Sequence, residues 1–460
     1  MAYLCTYQES IMRILSNTKS SLLCTLALTV SGLKAQQRWT LTQCIDYALE
    51  HNIQLKTDSI SARSAAEDYA QQRAALWPSL SFSTTQSLNY RPLQNTANNI
   101  VTNGIASSST KKVTENGSYG LNASWTVWDG GANYKNVKAA QMQVEMAQLA
   151  CTTTANSIQE QITRLYIQAL YCKEALGVNQ SLHATAVRQW ERGKEMYAQG
   201  LIALADLTQL EAQQASAYYD CVSMQTQVSD YLRQIRELLQ MTDGTVFDIV
   251  TPDSLSLIPT PIPSVAEVYQ EALATRPELQ SARIGMEQAE VNLAVAKAGY
   301  MPTLSLNAGI GDSHYSGSST SAAHQLKENL NASAGLTISI PILDNRRNRT
   351  NVQKAKLGII TSRLQMRDQE TQLYSTIEQY WLNATSYTQQ HTAARAKLKS
   401  AEESYRLLDA QFNNGLKNIV ELLNGKDQLL SAHQDALQSR YNALLNIQML
   451  RFYQGKGISI

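Results

Sequence analysis

The chain has 460 residues, and its 39 basic and 38 acidic side chains leave a formal net charge of +1, which implies no polyanionic partner such as nucleic acid. A mean hydropathy of -0.28 excludes a bundle of apolar membrane helices. Ala, Gln, Leu and Ser dominate long stretches that hold almost no Pro or Gly, the composition of long helices.

Residues 1–35 read as a signal peptide. Arg13 and Lys19 give a positive start, Leu22 to Val30 a short apolar run, and Gly32-Leu-Lys-Ala35 a cleavage site before Gln36. The run is too short to cross a bilayer as a helix. Met12 reads as the true start. A lipid anchor would use Cys24, but Leu23 before it is bulkier than lipid attachment usually allows. Export permits disulfides, yet Cys44, Cys151, Cys172 and Cys221 show neither CxxC nor metal-ligand spacing. They read as small apolar packing residues.

The first repeat covers residues 36–241. Helices are expected over Thr40–Glu50 and Leu55–Leu76, and Pro78 ends the second. A β-hairpin follows within residues 79–128, with strands near Ser79–Tyr90 and Ser118–Trp128, and Gly130-Gly131 breaks it. No proline interrupts the helical pattern from Ala132 to Tyr197, so about 66 residues at about 1.5 Å each make a rod on the order of 100 Å. Val137, Ala140, Val144, Ala147, Cys151, Thr154, Ile158, Leu165 and Cys172 recur at about 3.5 residues, a coiled-coil seam of mostly small side chains. Gly200 makes a turn, and a second helix runs from about Leu204 to Gln240. Residues 242–264, with Pro252, Pro259, Pro261 and Pro263, link the halves.

The second repeat, residues 265–460, restates the first. Leu41–Phe82 and Val265–Leu306 align without a gap at an offset of 224 (265 minus 41), so Trp77-Pro-Ser-Leu-Ser-Phe82 falls on Met301-Pro-Thr-Leu-Ser-Leu306. Gly200-Leu201 falls on Gly415-Leu416 at an offset of 215 (415 minus 200). The second hairpin is expected within residues 303–342, with strands near Thr303–Tyr315 and Leu330–Ile342. Helices are expected over Glu278–Ala298, Arg346–Phe412 and Ile419–Tyr453. With two copies only, each half must find neighbours in the other half or in other chains.

The strands carry the membrane signal. Tyr119, Leu121, Ala123, Trp125 and Val127 alternate with Gly120, Asn122, Ser124 and Thr126. Leu336, Ile338 and Ile340 share a wholly apolar face, opposite Asn331, Ser333, Gly335, Thr337 and Ser339. Each strand therefore has one greasy and one wet face, and each reaches the roughly 9–11 residues that a tilted membrane strand needs. A soluble sheet would need the helices for its core, and their patterning suits packing on each other. Four strands cannot close a barrel, and open edges cannot sit in lipid, so several copies must contribute. Trp125 and Trp128 suit the bilayer interface or packing between strands.

Three marks recur in the same order in both halves. They are the Pro-x-Leu strand starts at Pro78 and Pro302, the Asp-Gly-Gly and Asp-Asn-Arg strand exits at Asp129 and Asp344, and the Gly-Leu turns at Gly200 and Gly415. In these the chain resembles the TolC family of outer-membrane efflux channels. The resemblance implies an α+β membrane protein, a homotrimer of duplicated helix–hairpin–helix units. They would form a β-barrel of about twelve strands continued by a long periplasmic α-helical barrel. An equatorial belt would come from Thr40–Asn52, the inter-repeat segment and the chain end. The implied place is the outer membrane of a Gram-negative bacterium, and the implied partners are outer-membrane lipid, a periplasmic adaptor protein and an inner-membrane transporter.

The resemblance also implies a gate. Lys417 stands where the family's basic residue helps hold the periplasmic end shut. Glu421 keeps one of two pore acids, and Asn424 replaces the other. Phe412 occupies the place of a tyrosine that joins the closing bonds. Gly200, Leu201, Gly415 and Leu416, at the end of the helices far from the strands, are the expected adaptor-docking turns.

Catalysis finds no support. His51, His183, His314, His324, His391 and His433 are scattered without HExxH, and Gly309-Ile-Gly311 lacks the third glycine of a dinucleotide loop. Arg346, Arg347 and Arg349 open a helix, where positive charge opposes the dipole; they read as a solvated face, or as a headgroup or lumen contact. The chain is expected to be no enzyme and to carry no cofactor or metal. It reads as a passive conduit for efflux, energised by the inner-membrane partner. Two competing readings are an exit duct for secreted polypeptides and a non-conducting trimeric stalk or adhesin. The wet strand face argues against the stalk.

Overall fold

The computed structural model describes residues 38–93, 98–102, 105–109, 111–242, 247–251, 261–317 and 320–458, with backbone alone over 98–102 and 105–109. The signal peptide, Met12 and Cys24 lie outside the described residues.

Local chemistry sets where each helix begins and ends. Helix α1 (Leu41–His51) opens with a full capping box: the Gln43 N–H donates to the Thr40 hydroxyl, and the Thr40 N–H donates to the Gln43 side chain at 2.9 Å. Asn52 stops α1 and starts α2 (Ile53–Ala74), its carboxamide oxygen accepting from the Gln54 and Leu55 N–H groups. Strands β2 (Ser79–Tyr90) and β5 (Val113–Trp128) follow, and Gly130 and Gly131, both at positive φ, turn the chain into α3 (Ala132–Ala198). Helix α4 (Leu204–Leu238) returns along it.

The second half repeats these elements as α5 (Val265–Thr275), α6 (Pro277–Ala298), β7 (Thr303–Tyr315), β8 (Asn331–Ser339), α8 (Arg347–Asn413) and α9 (Ile419–Tyr453). Each helix of the second half has the length of its counterpart: 11, 22, 67 and 35 residues. The strand exits match as well. The Asp129 carboxylate accepts from the Asn133 N–H at 2.8 Å, and the Asp344 carboxylate accepts from the Asn348 N–H at 2.7 Å. Asn345 and Arg346 hold at positive φ the places of Gly130 and Gly131, so Arg346 precedes α8 and does not open it.

The hairpin loops do not repeat. The first carries a small ladder, β3 (Asn98–Thr102) with β4 (Ile105–Ser109); the second carries the short helix α7 (Ala322–Glu328). Here the offset between the halves falls from 224 to 215.

Four strands form one antiparallel sheet in the order β2-β5-β7-β8, so the two hairpins join through β5 and β7. The strands differ from the expected ones at three places. Strand β5 begins at Val113, five residues before Ser118. Val127 is an extra residue in β5, because Thr126 opposes Ser305 and Trp128 opposes Leu304. Strand β8 spans Asn331–Ser339, so Leu330 and the last three residues of the expected strand, Ile340, Pro341 and Ile342, lie outside it.

Helix packing follows one scheme in both halves: the long helix stands beside two shorter ones laid end to end, α3 beside α2 and α4, α8 beside α6 and α9. At 67 residues and about 1.5 Å each, both long helices are about 100 Å rods. The main core lies near the middle of α3. Leu41, Cys44, Ile45 and Ala48 of α1, Phe247 and Ile249 of the inter-repeat segment, and Ile458 at the chain end pack on Ile162, Tyr166 and Leu170. The three stretches expected in the belt thus meet in one cluster. Strand β1 (Arg38–Trp39) pairs in parallel with β6 (Asp248–Ile249) beside it, and Lys173 and Arg38 both face Asp248. Burial pushes the Cys44 thiol up to about 12 and Cys172 up to about 11, as suits inert packing residues.

Candidate functional site

Cross-strand partners project to the same side of a sheet, so the register decides what each face is made of. One side gathers Leu80 and Phe82, opposite Ala123 and Leu121, then Ile310, Ala308 and Leu306, and finally Ala332, Ala334, Leu336 and Ile338. The other side gathers Ser81 and Ser83, opposite Asn122 and Gly120, then Asn307 and Gly309, and finally Ser333 and Gly335. The apolar side is open: Leu80, Phe82, Leu336 and Ile338 are each more than 60% exposed. A patch of this extent marks contact with lipid or a partner.

Trp125 and Trp128 stand at the helix end of this face, and the Trp125 indole N–H donates to the Leu76 carbonyl at 2.9 Å. Tyr119 stands at the other end, where Asp312 opposes it and the face turns polar. The roughly ten residues from Tyr119 to Trp128 run about 33 Å along the strand, which a tilt of about 40° reduces to about 25 Å, the height of a membrane barrel's apolar band. Tyr119, Leu121, Trp125, Leu336 and Ile338 thus lie on one apolar side. Val127, the extra residue, adjoins it.

The far ends of the helices close in two matching turns. Gly200 at φ 73° and Gly415 at φ 70° take the left-handed conformation that favours glycine. In each turn the next residue's N–H reaches back five residues: Leu201 to Met196 and Leu416 to Gln411, both at 2.9 Å. This double closure leaves Leu201 and Leu416 projecting from the tips, 65% and 73% exposed. Exposed leucines at the same place in both repeats have no packing role within the chain.

Just inside the tips the paired helices approach closely, with exchanged parts. A side chain at Gly193 of α3 would meet Leu210 of α4 at 2.5 Å; a side chain at Gly425 of α9 would meet Leu408 of α8 at 2.6 Å. Gly193 and Leu408 are repeat equivalents, as are Leu210 and Gly425. Each helix pair therefore has one leucine seated on one glycine, on opposite helices in the two halves.

The residues expected at the gate differ in burial. Phe412 is buried with Leu210, Ile419, Leu422 and Leu423 against Trp190 and Tyr405. Lys417 and Glu421 form an ion pair one helical turn apart, and Asn418 caps α9 through the Glu421 N–H at 2.9 Å. The pair is about 40% exposed, so it contributes at most about 0.5 kcal/mol to helix stability. Asn424 is exposed one turn further on.

A polar link between α3 and α8 joins the repeats near the tips and was not expected. The Gln189 amide donates to the Asp409 carboxylate at 2.8 Å and to the Tyr405 hydroxyl at 3.0 Å, and the Arg192 guanidinium donates to the Asn413 carbonyl at 3.2 Å. Burial pushes the Tyr405 phenol up, so it stays protonated at neutral pH. The repeat gave no signal for it, because Gln189 lies 11 residues before Gly200 (200 minus 189) and Asp409 only 6 before Gly415 (415 minus 409).

Among the described residues no cluster of His, Cys, Asp and Glu could hold a metal, and no helix is long and apolar enough to cross a membrane. The second observation says nothing of a β-barrel.

Comparison with known proteins agrees with this geometry. The chain is 24% identical over 434 residues to outer membrane protein TolC of Escherichia coli (strain K12), spanning 92% of this chain and 83% of that protein. Among solved structures, CusC superposes with a TM-score of 0.76 at 19% identity, covering 91% of this chain and 92% of CusC. The Campylobacter jejuni CmeC outer membrane channel superposes with a TM-score of 0.75 at 18% identity, covering 91% and 87%. The family pattern described as outer membrane efflux protein matches residues 44–239 and 268–456, nearly all of both repeats. The chain therefore belongs to the outer membrane efflux protein family.

Proposed function

We propose that three copies of this outer-membrane efflux channel close one barrel, with β8 of each copy pairing β2 of the next. The observation that carries this reading is the four-stranded sheet itself, apolar on one side and small and polar on the other, with β2 and β8 as unpaired edges. Edge N–H and C=O groups facing lipid cost several kcal/mol each, so the sheet is stable in a membrane only when closed. Three copies give about twelve strands, enough for a water-filled interior lined by the serines, asparagines and glycines of the wet side. The helices continue this lumen into the periplasm as a curved wall.

The tips are the contact for a periplasmic adaptor, through Leu201 and Leu416. Behind them Lys417, Glu421 and Asn424 ring the mouth, and the Gln189–Asp409 link holds the two repeats together beside it. An inner-membrane transporter supplies the energy. Membership in a tripartite efflux system follows from the family. The order of assembly, adaptor to tip and lipid to strand face, is supported by exposed leucines at one end and an exposed apolar sheet at the other.

Protein extracted from membranes in mild detergent is expected to have a mass close to three chains. On a gel it should collapse to one chain only after heating. Extraction as single chains, with β2 and β8 free, would contradict the reading.

A further inference from the structure

The two strand exits carry different residues at equivalent backbone positions. The first repeat has Gly131 at φ 79° and Tyr134 in the first turn of α3; the second has Arg346 at φ 68° and Arg349. A β-carbon is strained at such a φ, so arginine stands where glycine is the easier choice. The start of α8 is already satisfied: Asp344 accepts from the Arg347 N–H through its carbonyl and from the Asn348 N–H through its carboxylate. Between Asp344 and Asp368 lie seven basic residues and no acid. The side chains of Arg346 and Arg349 are exposed and make no hydrogen bond or ion pair among the described residues.

Their height and direction follow from the packing. The Asn348 amide donates to the Gly299 carbonyl, four residues before β7 begins (303 minus 299), so this turn sits at the junction of sheet and helices. Ile342 and Leu343, just before it, are almost fully exposed, and Trp128 at the end of β5 is half exposed. Helix α8 keeps α6 and then α9 on one side along its length, so its faces recur every seven residues. Arg346 lies four heptads before Tyr374 (374 minus 346 is 28), and Arg349 four before Ile377 (377 minus 349 is 28). Tyr374 packs edge-on against Tyr269 of α5, and Ile377 is buried with Val268 and Ala272 of α5. Both arginines therefore lie on the side of α8 where α5, the counterpart of the belt helix α1, packs. A second layer of helices has room only outside a closed wall, so this side faces away from the lumen.

Closing the trimer sets α2 of a next copy on the free side of α8. The first repeat shows what such closure leaves open, because α3 already has α2 on one side and α6 on the other. There Tyr134 is still 67% exposed, and a side chain at Gly131 would meet only the tip of Lys135, at 3.9 Å. Arg346 and Arg349 hold the equivalent places, so they stay open in the trimer. A guanidinium presents a planar fork of N–H donors that matches a phosphate, and two of them one turn apart on a helix can hold the same group. The bare Ile342 and Leu343 beside them continue the lipid-facing side of the sheet.

We propose that Arg346 and Arg349, with Ile342 and Leu343, bind an anionic phospholipid of the periplasmic leaflet, the arginines on its phosphate and the apolar pair on its chains. The site rests on the reading above, in which the apolar side of the sheet meets lipid and α5 lies outside the wall. The probe is dioleoyl phosphatidylglycerol, set against dioleoyl phosphatidylcholine, which has the same chains and phosphate but no net charge. Detergent-solubilised protein is mixed with equal amounts of both, and the lipid that stays bound is counted per chain by native mass spectrometry. The variant is Arg346→Gly with Arg349→Tyr, the residues that the first repeat holds at these places, so it is expected to fold. The control is Arg363→Gln with Arg367→Gln. It removes the same charge from the same side of α8, beginning 14 residues (363 minus 349) or about 21 Å further down.

Wild type should hold about one phosphatidylglycerol per chain and prefer it roughly tenfold over phosphatidylcholine. The Arg346→Gly, Arg349→Tyr variant should lose that preference, and the control should keep it. A wild type without preference, or a variant that keeps it, would overturn the proposal. So would a control that loses it as fully, because the attraction would then be diffuse charge along α8 and not a site. Protein extracted as single chains would contradict the trimer, yet the same count would decide the lipid site, since one chain carries both arginines.

Discussion

Leu336→Arg is expected to remove most of the assembled protein from the membrane, while Thr337→Arg leaves it in place. The two positions are adjacent in β8 and differ in the side they face. Leu336 opposes Leu306 on the apolar side and is 61% exposed, whereas Thr337 opposes Ser305 on the wet side. An arginine on the lipid face costs roughly 2–4 kcal/mol near the bilayer midplane, and a trimer carries it three times, roughly 6–12 kcal/mol in all. That rivals the whole stability of a typical folded domain, about 5–15 kcal/mol. At position 337 the same side chain points into water and changes the ions that pass. Immunoblots of unheated membrane fractions measure the first effect. Equal losses from the two substitutions would show that the sheet does not have one lipid face.

Leu201→Glu combined with Leu416→Glu should abolish export without loss of trimer. Both leucines project from Schellman turns, so replacing them disturbs no core and costs less than about 0.5 kcal/mol of stability. An adaptor that buries both would lose roughly 1.5–3 kcal/mol of apolar contact at each leucine and would meet an unpaired charge at each site. Over three copies no affinity of ordinary size survives. Cross-linking to the adaptor and susceptibility of the cells to exported toxic solutes are the measurements. Retained cross-linking at the tips would exclude these turns as the docking surface.

The frame of the fold was legible because residues with strong local preferences mark it. Pro78, Gly130, Gly200 and their repeat equivalents fall where elements end, and alternation marks the two sides of the sheet. The missed features depend on contacts that no local rule encodes. Val127 is an extra residue because Trp128 must meet Leu304, which lies in the other hairpin. The burial of Phe412 depends on Leu210 and Trp190 of the first repeat, contacts that no spacing within the second repeat encodes. The Gln189–Asp409 link and the Arg276–Tyr453 stack likewise join residues far apart in sequence. The β3–β4 ladder and α7 lie in loops that differ between the halves, so the duplication gave no help there.

The wet side of the sheet is expected to line a continuous aqueous path ending at the Lys417–Glu421 mouth. Single-channel recording in planar bilayers, on wild type and on Lys417→Ala, measures that path. Wild type should conduct in steps. Removing Lys417 frees the Glu421 carboxylate from its ion pair, so the variant should favour cations more strongly and be blocked more readily by multivalent cations from the periplasmic side. Inserted wild-type trimers that carry no current would show that no such path exists.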